Sequence, residues 1–310
     1  MSGKILGIHH ITAIAAGAKR NHEFYTKVLG LRLVKKTVNF DDPTTYHFYY
    51  GNERGEPGTI LTFFPWEGIR RGREGTGQVT AASFSVPGDS MSFWLDRFRA
   101  HNVIYNNPSS RFGEEVLVFL DPDGLKLELV SNDGDGREAW DADEVPTEFG
   151  IKGFRGAALT LEGYEATANL LTGVLGYKKK EEHVNRFRFV NGNGKHANII
   201  DLICLPSGQR GLVAGGTVHH IAFRAANEAD QLALREKLIS LGYNVTPQLD
   251  RNYFKSVYFR EPGGVLFEIA TDPPGFTIDE ELKDLGHSLK LPGWLEPRRD
   301  EIESVLPAVG

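Results

Sequence analysis

Four stretches of this 310-residue chain follow one plan: an apolar strand, a helical pattern, a glycine or asparagine, then several alternating strands. The first runs GIHHITAIA, NHEFYTKVLGLRL and GTILTFF, and the second VTAASFSV, SFWLDRFRAHNVIY and VLVFLDPDGLKLELV. The third runs GAALTL, ATANLLTGVLGYKK and ANIIDLICL, and the fourth TVHHIAF, DQLALREKLISLGYNV and SVYFREPGGVLFEIA. A repeat of this kind constrains the fold more than any single motif, because each unit must bury its apolar face against another. The period, roughly twice that of the common solenoid repeats, predicts βαβββ modules rather than a stacked array.

Gly30, Asn102, Gly176 and Gly242 each end a helical pattern, where a left-handed residue is needed and glycine or asparagine supplies it at low steric cost. Phe24 with Val28, and Leu234 with Leu238, lie four apart and would stack on one helix face. Turns such as Asp121-Pro122-Asp123-Gly124 and Glu261-Pro262-Gly263-Gly264 separate the later strands. The expected fold is therefore α+β, with four βαβββ modules forming two paired-module domains with curved, mostly antiparallel, barrel-like sheets. Residues 1–135 hold the first two modules, 136–151 an acidic linker rich in turn formers, 152–275 the last two modules, and 276–310 a tail. The Gly- and Arg-rich loop from Gly68 to Gln78 lacks the strand-to-helix setting of a phosphate loop and reads as a crossover linker.

Composition excludes several classes of function. A net charge of −6 argues against nucleic acid, whose binding needs a concentrated basic face. One cysteine, Cys204, excludes an internal disulfide and fits a reducing compartment. The N-terminus lacks a signal-peptide core and no run approaches membrane-spanning length, so a cytoplasmic protein with no membrane partner is expected.

The double histidines of the first and fourth modules then carry the chemistry. Adjacent strand residues point to opposite faces, so one histidine of each pair lines a given cavity. His10 shares a face with Ile8 and Thr12, and His220 with Ala222 and Arg224, whereas His219 goes with Ile221 and Phe223, a face suited to packing under a helix. In the last strand, Phe267 and Ile269 face the helix and Glu268 points inward, where a lone carboxylate is costly unless paired or bound to a cation. The third module has neither group, and the second has Glu128 but alanines where a histidine would stand. His10, His220 and Glu268 thus make a candidate 2-His-1-carboxylate triad of the kind that holds non-haem Fe(II). The alternative is that the histidines are satisfied core residues and Glu268 meets an arginine. Glu128 is read as a solvated strand-end residue beside Lys126, with a fourth-ligand role as its alternative.

With these residues assembled, the chain resembles the vicinal oxygen chelate superfamily, and within it the bacterial ring-cleaving dioxygenases that act on para-hydroquinones. The resemblance rests on GIHHITAIA, TVHHIAFR, DRNYFKSVYFREPGGVLFEIATDPPGF and LPGWLEPRRDEIESVLP, nearly the whole chain. It implies an Fe(II) (Fe2+) site made by His10, His220 and Glu268 between the first and last modules. It also implies that Thr12, His219, Arg251 and Tyr258 are neighbours of the metal or contacts of the substrate, with an aromatic diol and O2 as reaction partners. His219 conflicts with the face assigned to it above. A para-diol cannot chelate a metal through both oxygens, so protein must hold its second hydroxyl, and Tyr258 and Arg251 are the expected residues for orientation and proton transfer, with Tyr258 as a plain core aromatic the alternative. Two other readings stay open: a glyoxalase-like isomerase or thiol transferase, which would want a fourth ligand, and a metal-free small-molecule binder. In the tail, Ile302, Val305 and Leu306 form a short helical stripe that either caps the site or joins a second subunit of a homo-oligomer.

Overall fold

Each module's opening strand pairs in parallel with that module's own closing strand, a geometry that requires a crossover and explains why a helix always intervenes. Thus Ile5–Ala15 lies beside Ile60–Pro65, Gln78–Val86 beside Lys126–Ser131, Gly153–Leu161 beside Ile199–Cys204, and Thr217–Ala225 beside Leu266–Pro274. The crossover helices are Ala18–Glu23, Met91–Ala100, Glu165–Gly173 and Glu228–Ser240, the first widened by a π turn at Phe24–Val28. All four helix-stop residues have positive φ: Gly30 at 66°, Asn102 at 55°, Gly176 at 74° and Gly242 at 87°. Leu234 and Leu238 are buried as expected, whereas Val28 is only partly buried at the end of the π turn. The computed structural model describes residues 3–309.

Opening strands then pair antiparallel with one another, and this joins modules that are distant in sequence. Ile5–Ala15 pairs with Thr217–Ala225, placing the first and fourth modules in one eight-stranded sheet. Gly153–Leu161 pairs with Gln78–Val86, placing the second and third in a nine-stranded sheet. Both sheets curve and are mostly antiparallel. The halves 1–135 and 152–275 therefore divide the chain in sequence, but each gives one module to each sheet. The reason lies in the two segments between sheets. Residues of the Gly68–Gln78 loop bridge to those of the later connection at Arg71 with Gly215, Arg73 with Leu212 and Thr76 with Arg210. The chain crosses over once in each half, side by side, so its two ends share a sheet. In the acidic segment 136–151, Arg137 ties Gly58 O to Phe154 O, and Val145 is buried.

The tail packs on its own chain rather than projecting away. Phe276 and Leu285 join Val34, Tyr49, Tyr253 and Phe254 in an apolar cluster beneath the first sheet. The wholly buried Lys35 pairs with Asp279 and Glu280 of the tail, and Tyr253 donates to Asp279. The helix Arg299–Val305 forms where the pattern predicts. Ile302 is buried against Val38, but Val305, expected in the same stripe, is exposed because the helix ends there.

Candidate metal and substrate site

The first sheet's concave side gathers groups from both ends of the chain. His10 comes from the opening strand, His220 from the antiparallel strand beside it, and Glu268 from the next strand, opposite Ala222. His10 Nε2 lies 3.2 Å from Glu268 Oε2 and His220 Nε2 3.0 Å from it, with the two nitrogens 3.4 Å apart. All three side chains are buried, and Ser256 donates to the other carboxylate oxygen of Glu268. Oε2, in contrast, has no hydrogen-bond partner, although both imidazoles touch it. The two Nε2 atoms and Oε2 all lie within 4.8 Å of one another, close enough to share one ion.

The charge states agree with a donor set. Burial lowers the pKa of His220, so its imidazole is neutral at ordinary pH. Burial pushes the Glu268 carboxyl upward, but His10 and His220 outweigh it and hold it well below the usual carboxylate range. An ionised, buried carboxylate oxygen with no hydrogen-bond partner is a standing cost of several kcal/mol that a divalent cation removes. Two nitrogens and one oxygen on one side, with no thiolate, suit iron(II) and leave positions open to exogenous ligands.

The first members of the histidine pairs do not follow simple alternation, and the strand register shows why. Ile8 pairs with Phe223 and His10 with Ala222, so His9 is an extra residue in its strand. Likewise Thr12 pairs with His220 and Ala13 with Val218, which leaves His219 extra in the other strand. Each is a β-bulge, and a bulge re-aims its side chain. His9 Nδ1 consequently lies 2.9 Å from His10 Nδ1, and His219 Nδ1 lies 2.8 Å from His220 Nδ1. His9 is buried against the Phe254 ring. His219, expected on the helix side, instead lines the cavity with the triad. Burial, aided by His220, pushes its pKa down to about 3.

That cavity, of about 430 Å³, opens beside His10 and His220. Tyr258 and Arg251 form part of its wall, with the guanidinium 5.4 Å from the centre of the Tyr258 ring and 3.3 Å from Asp41. Burial, reinforced by the charge of Glu268, raises the Tyr258 phenol well above its usual range, so it stays protonated. Thr12 does not line the cavity. It is buried behind the wall with its hydroxyl 2.8 Å from that of Thr62. Arg224, grouped with His220 by alternation, shares the strand face but lies at its far end, paired with Asp272. His47 and Tyr49 were not anticipated, yet both line the cavity. Their signal was present: in Tyr46-His47-Phe48-Tyr49-Tyr50, Phe48 and Tyr50 are core aromatics, so the residues between them face the other way.

The second sheet repeats this geometry without the ligands. Its bulges fall at Arg155 and Thr80, and its registers set Gly156 where His10 stands, Ala81 where His220 stands and Glu128 where Glu268 stands. Glu128 is not a solvated strand-end residue. It is buried, with Arg111 donating to both carboxylate oxygens at 2.8 and 2.9 Å and Ser83 at 2.6 Å, while Lys126 pairs with Glu74 instead. An arginine fills the role a metal would play, and Glu128 stands in the other sheet, outside the cluster of His10, His220 and Glu268. Glu128→Ala is therefore expected to leave metal content unchanged while lowering stability by about 1–3 kcal/mol, since the half-buried Arg111 loses its bidentate partner. Denaturant unfolding beside metal analysis checks both halves of that expectation.

The sequence pattern of the Glyoxalase/Bleomycin resistance protein/Dioxygenase superfamily matches residues 7–129 and 156–269. The chain belongs to this superfamily. Within it, MhqO of Bacillus subtilis (strain 168), named as a candidate ring-cleaving dioxygenase, is 50% identical over 308 residues, covering 99% of this chain and 97% of that one. Chlorohydroquinone/hydroquinone 1,2-dioxygenase of Sphingobium indicum is 37% identical over 309 residues, covering 96% of this chain and 95% of that one. The crystal structure of a candidate dioxygenase from Bacillus subtilis superposes with a TM-score of 0.96 at 48% identity, covering 100% of this chain and 99% of that one. Glyoxalase I from Zea mays, at 14% identity and a TM-score of 0.63, shares the superfamily fold over 86% of this chain and 92% of its own. No helix among the described residues is long and apolar enough to cross a membrane.

Proposed function

We propose that the chain is an Fe(II)-dependent ring-cleaving dioxygenase for hydroquinone-type aromatic diols. The observation that carries this reading is the convergence of His10, His220 and the unpartnered Glu268 oxygen on one point at the wall of an aromatic-lined cavity. Membership of the superfamily and the names of the relatives support it. Iron(II) held by these three groups would supply the open positions and the one-electron chemistry that let a phenolic hydroxyl and O2 react.

The chain's own residues do the rest. His10 and His220 present Nε2 because their Nδ1 atoms are engaged by His9 and His219, a contact that fixes ring orientation and tautomer. Phe64, Trp66, Phe254 and Leu266 supply flat apolar wall that holds the ring and displaces water. The Tyr258 phenol, kept protonated, donates a hydrogen bond and can deliver a proton to a substrate oxygen. Burial opposes the charge of Arg251, but Tyr258 and Asp41 more than compensate, so a permanent cation stands where negative charge develops on oxygen. Cleavage beside the hydroxyl-bearing carbon converts that carbon to a carboxylate and its neighbour to an aldehyde, with both atoms of O2 retained. Thr12 serves by bracing Thr62 behind the wall, and His219 by orienting His220 from the cavity side.

The glyoxalase-like reading loses its fourth ligand, because the cluster of metal-binding side chains found among the described residues has three members and Glu128 is committed to Arg111. Oxygen consumption by the iron-loaded protein tests the proposal. Uptake with hydroquinone well above that with catechol is expected, and no uptake with any diol after iron loading would sink it.

A further inference from the structure

We propose that Tyr49, oriented by His47, is the residue that selects a para-diol at this site: its phenol oxygen accepts a hydrogen bond from the hydroxyl remote from the metal triad. This rests on the reading of the cavity as a diol site and assigns the partner of the second hydroxyl.

Four polar side chains form a line behind and along the wall contributed by the first module. Thr12 Oγ1 lies 2.8 Å from Thr62 Oγ1, Thr62 Oγ1 lies 2.8 Å from His47 Nε2, and His47 Nδ1 lies 2.8 Å from the Tyr49 hydroxyl. Thr12, Thr62 and Tyr49 are buried, and the His47 ring is sandwiched between Tyr49 at 4.0 Å and Phe64 at 4.4 Å. Desolvation lowers the pKa of His47 well below its usual value, so it carries a single N–H at neutral pH. A phenol is a far more acidic donor than a neutral imidazole, so the O–H···Nδ1 arrangement is the favoured one. Nε2–H then donates to Thr62, and Thr62 donates to Thr12. The hydrogens of Tyr49, His47 and Thr62 are thus used in turn, running from the cavity wall toward Thr12 behind it.

This leaves the Tyr49 oxygen with its lone pairs toward the cavity, where it has no other partner than His47. The Tyr49 ring cannot swing aside, because Tyr253, Phe254 and Phe276 pack around it. A fixed acceptor without a donor is matched by a substrate group that donates, which a second hydroxyl does and a hydrogen or methyl does not. Arg251 and Tyr258 on the fourth module's part of the wall are both donors, and Tyr49 adds an acceptor from the first module's part. Tyr49 would touch substrate; His47 acts through Tyr49 and is a positioning residue.

The test is equilibrium binding of hydroquinone and of phenol, measured by calorimetry without oxygen on the iron-loaded protein. Phenol keeps the hydroxyl at the metal and lacks the remote one. The wild-type protein should bind hydroquinone about tenfold more tightly than phenol, the effect of one neutral hydrogen bond. Tyr49→Phe and His47→Leu should bring that ratio close to one while phenol binding and metal content hold. His47→Asn, whose amide oxygen replaces the Nδ1 acceptor, should retain the preference. An unchanged ratio in Tyr49→Phe, or no preference in the wild-type protein, overturns the assignment even if oxygen uptake supports ring cleavage. A Tyr49-dependent preference without any oxygen uptake would instead uphold the assignment and remove the dioxygenase reading.

Discussion

Replacing Glu268 by alanine is expected to remove the metal while leaving the fold in place. The carboxylate is the triad's only anion, and its Oε2 makes no hydrogen bond that the fold depends on. Residues one layer outside a metal site typically govern affinity by about 10–100-fold, so loss of a direct ligand should exceed about a hundredfold and take oxygen consumption with it. The unfolding midpoint of the metal-free variant should stay close to that of the metal-free parent. Removing a buried, ionised and poorly partnered group offsets the packing that its side chain supplied. Metal analysis, oxygen uptake and denaturant unfolding on the same preparation separate these effects. Glu128→Ala should show the reverse pattern, although the two glutamates occupy equivalent places in their sheets.

Tyr258→Phe carries the second large effect. The ring stays, in a T-shaped contact with His220 at 5.7 Å between centroids, and only the hydroxyl is lost. If Tyr258 donates a proton or a hydrogen bond to developing negative charge, kcat should fall by about a hundredfold or more, within the range of general acid–base contributions. Metal content and the binding of hydroquinone should change little. This split distinguishes Tyr258 from Tyr49, whose loss should appear mainly in hydroquinone binding. A Tyr258→Phe enzyme with full kcat would make Tyr258 a wall residue only.

Much of this arrangement is legible from local pattern. The helix stops at Gly30, Asn102, Gly176 and Gly242 lie where the backbone turns left-handed, because that conformation has a residue-type preference strong enough to read. Glu268 is legible because a charged residue between Phe267 and Ile269 violates an otherwise apolar strand. The bulges at His9 and His219 are not, since neither is marked by glycine or proline and both arise from how two strands settle into register. Alternation therefore assigns His219 to the wrong side. Glu128 is misread for a related reason: its partner Arg111 sits on the short strand Ser109–Arg111, whose place in the sheet depends on tertiary pairing. The association of the first module with the fourth is likewise a property of long-range strand pairing, which a repeat suggests but does not specify. His47 and Tyr49 were readable by the same period-two argument applied to Glu268, but aromatic neighbours on both faces mask the alternation.

Under the proposed function, the two ends of the chain build one iron site that inserts both atoms of O2 into a para-diol. The most direct measurement is mass spectrometry of the product formed from hydroquinone by the iron-loaded protein under isotopically labelled oxygen, ¹⁸O2. A ring-opened semialdehyde acid carrying both labelled atoms is expected, before exchange of the aldehyde oxygen with water. A product with one labelled atom in an intact ring, a product with none, or no product at all would contradict it.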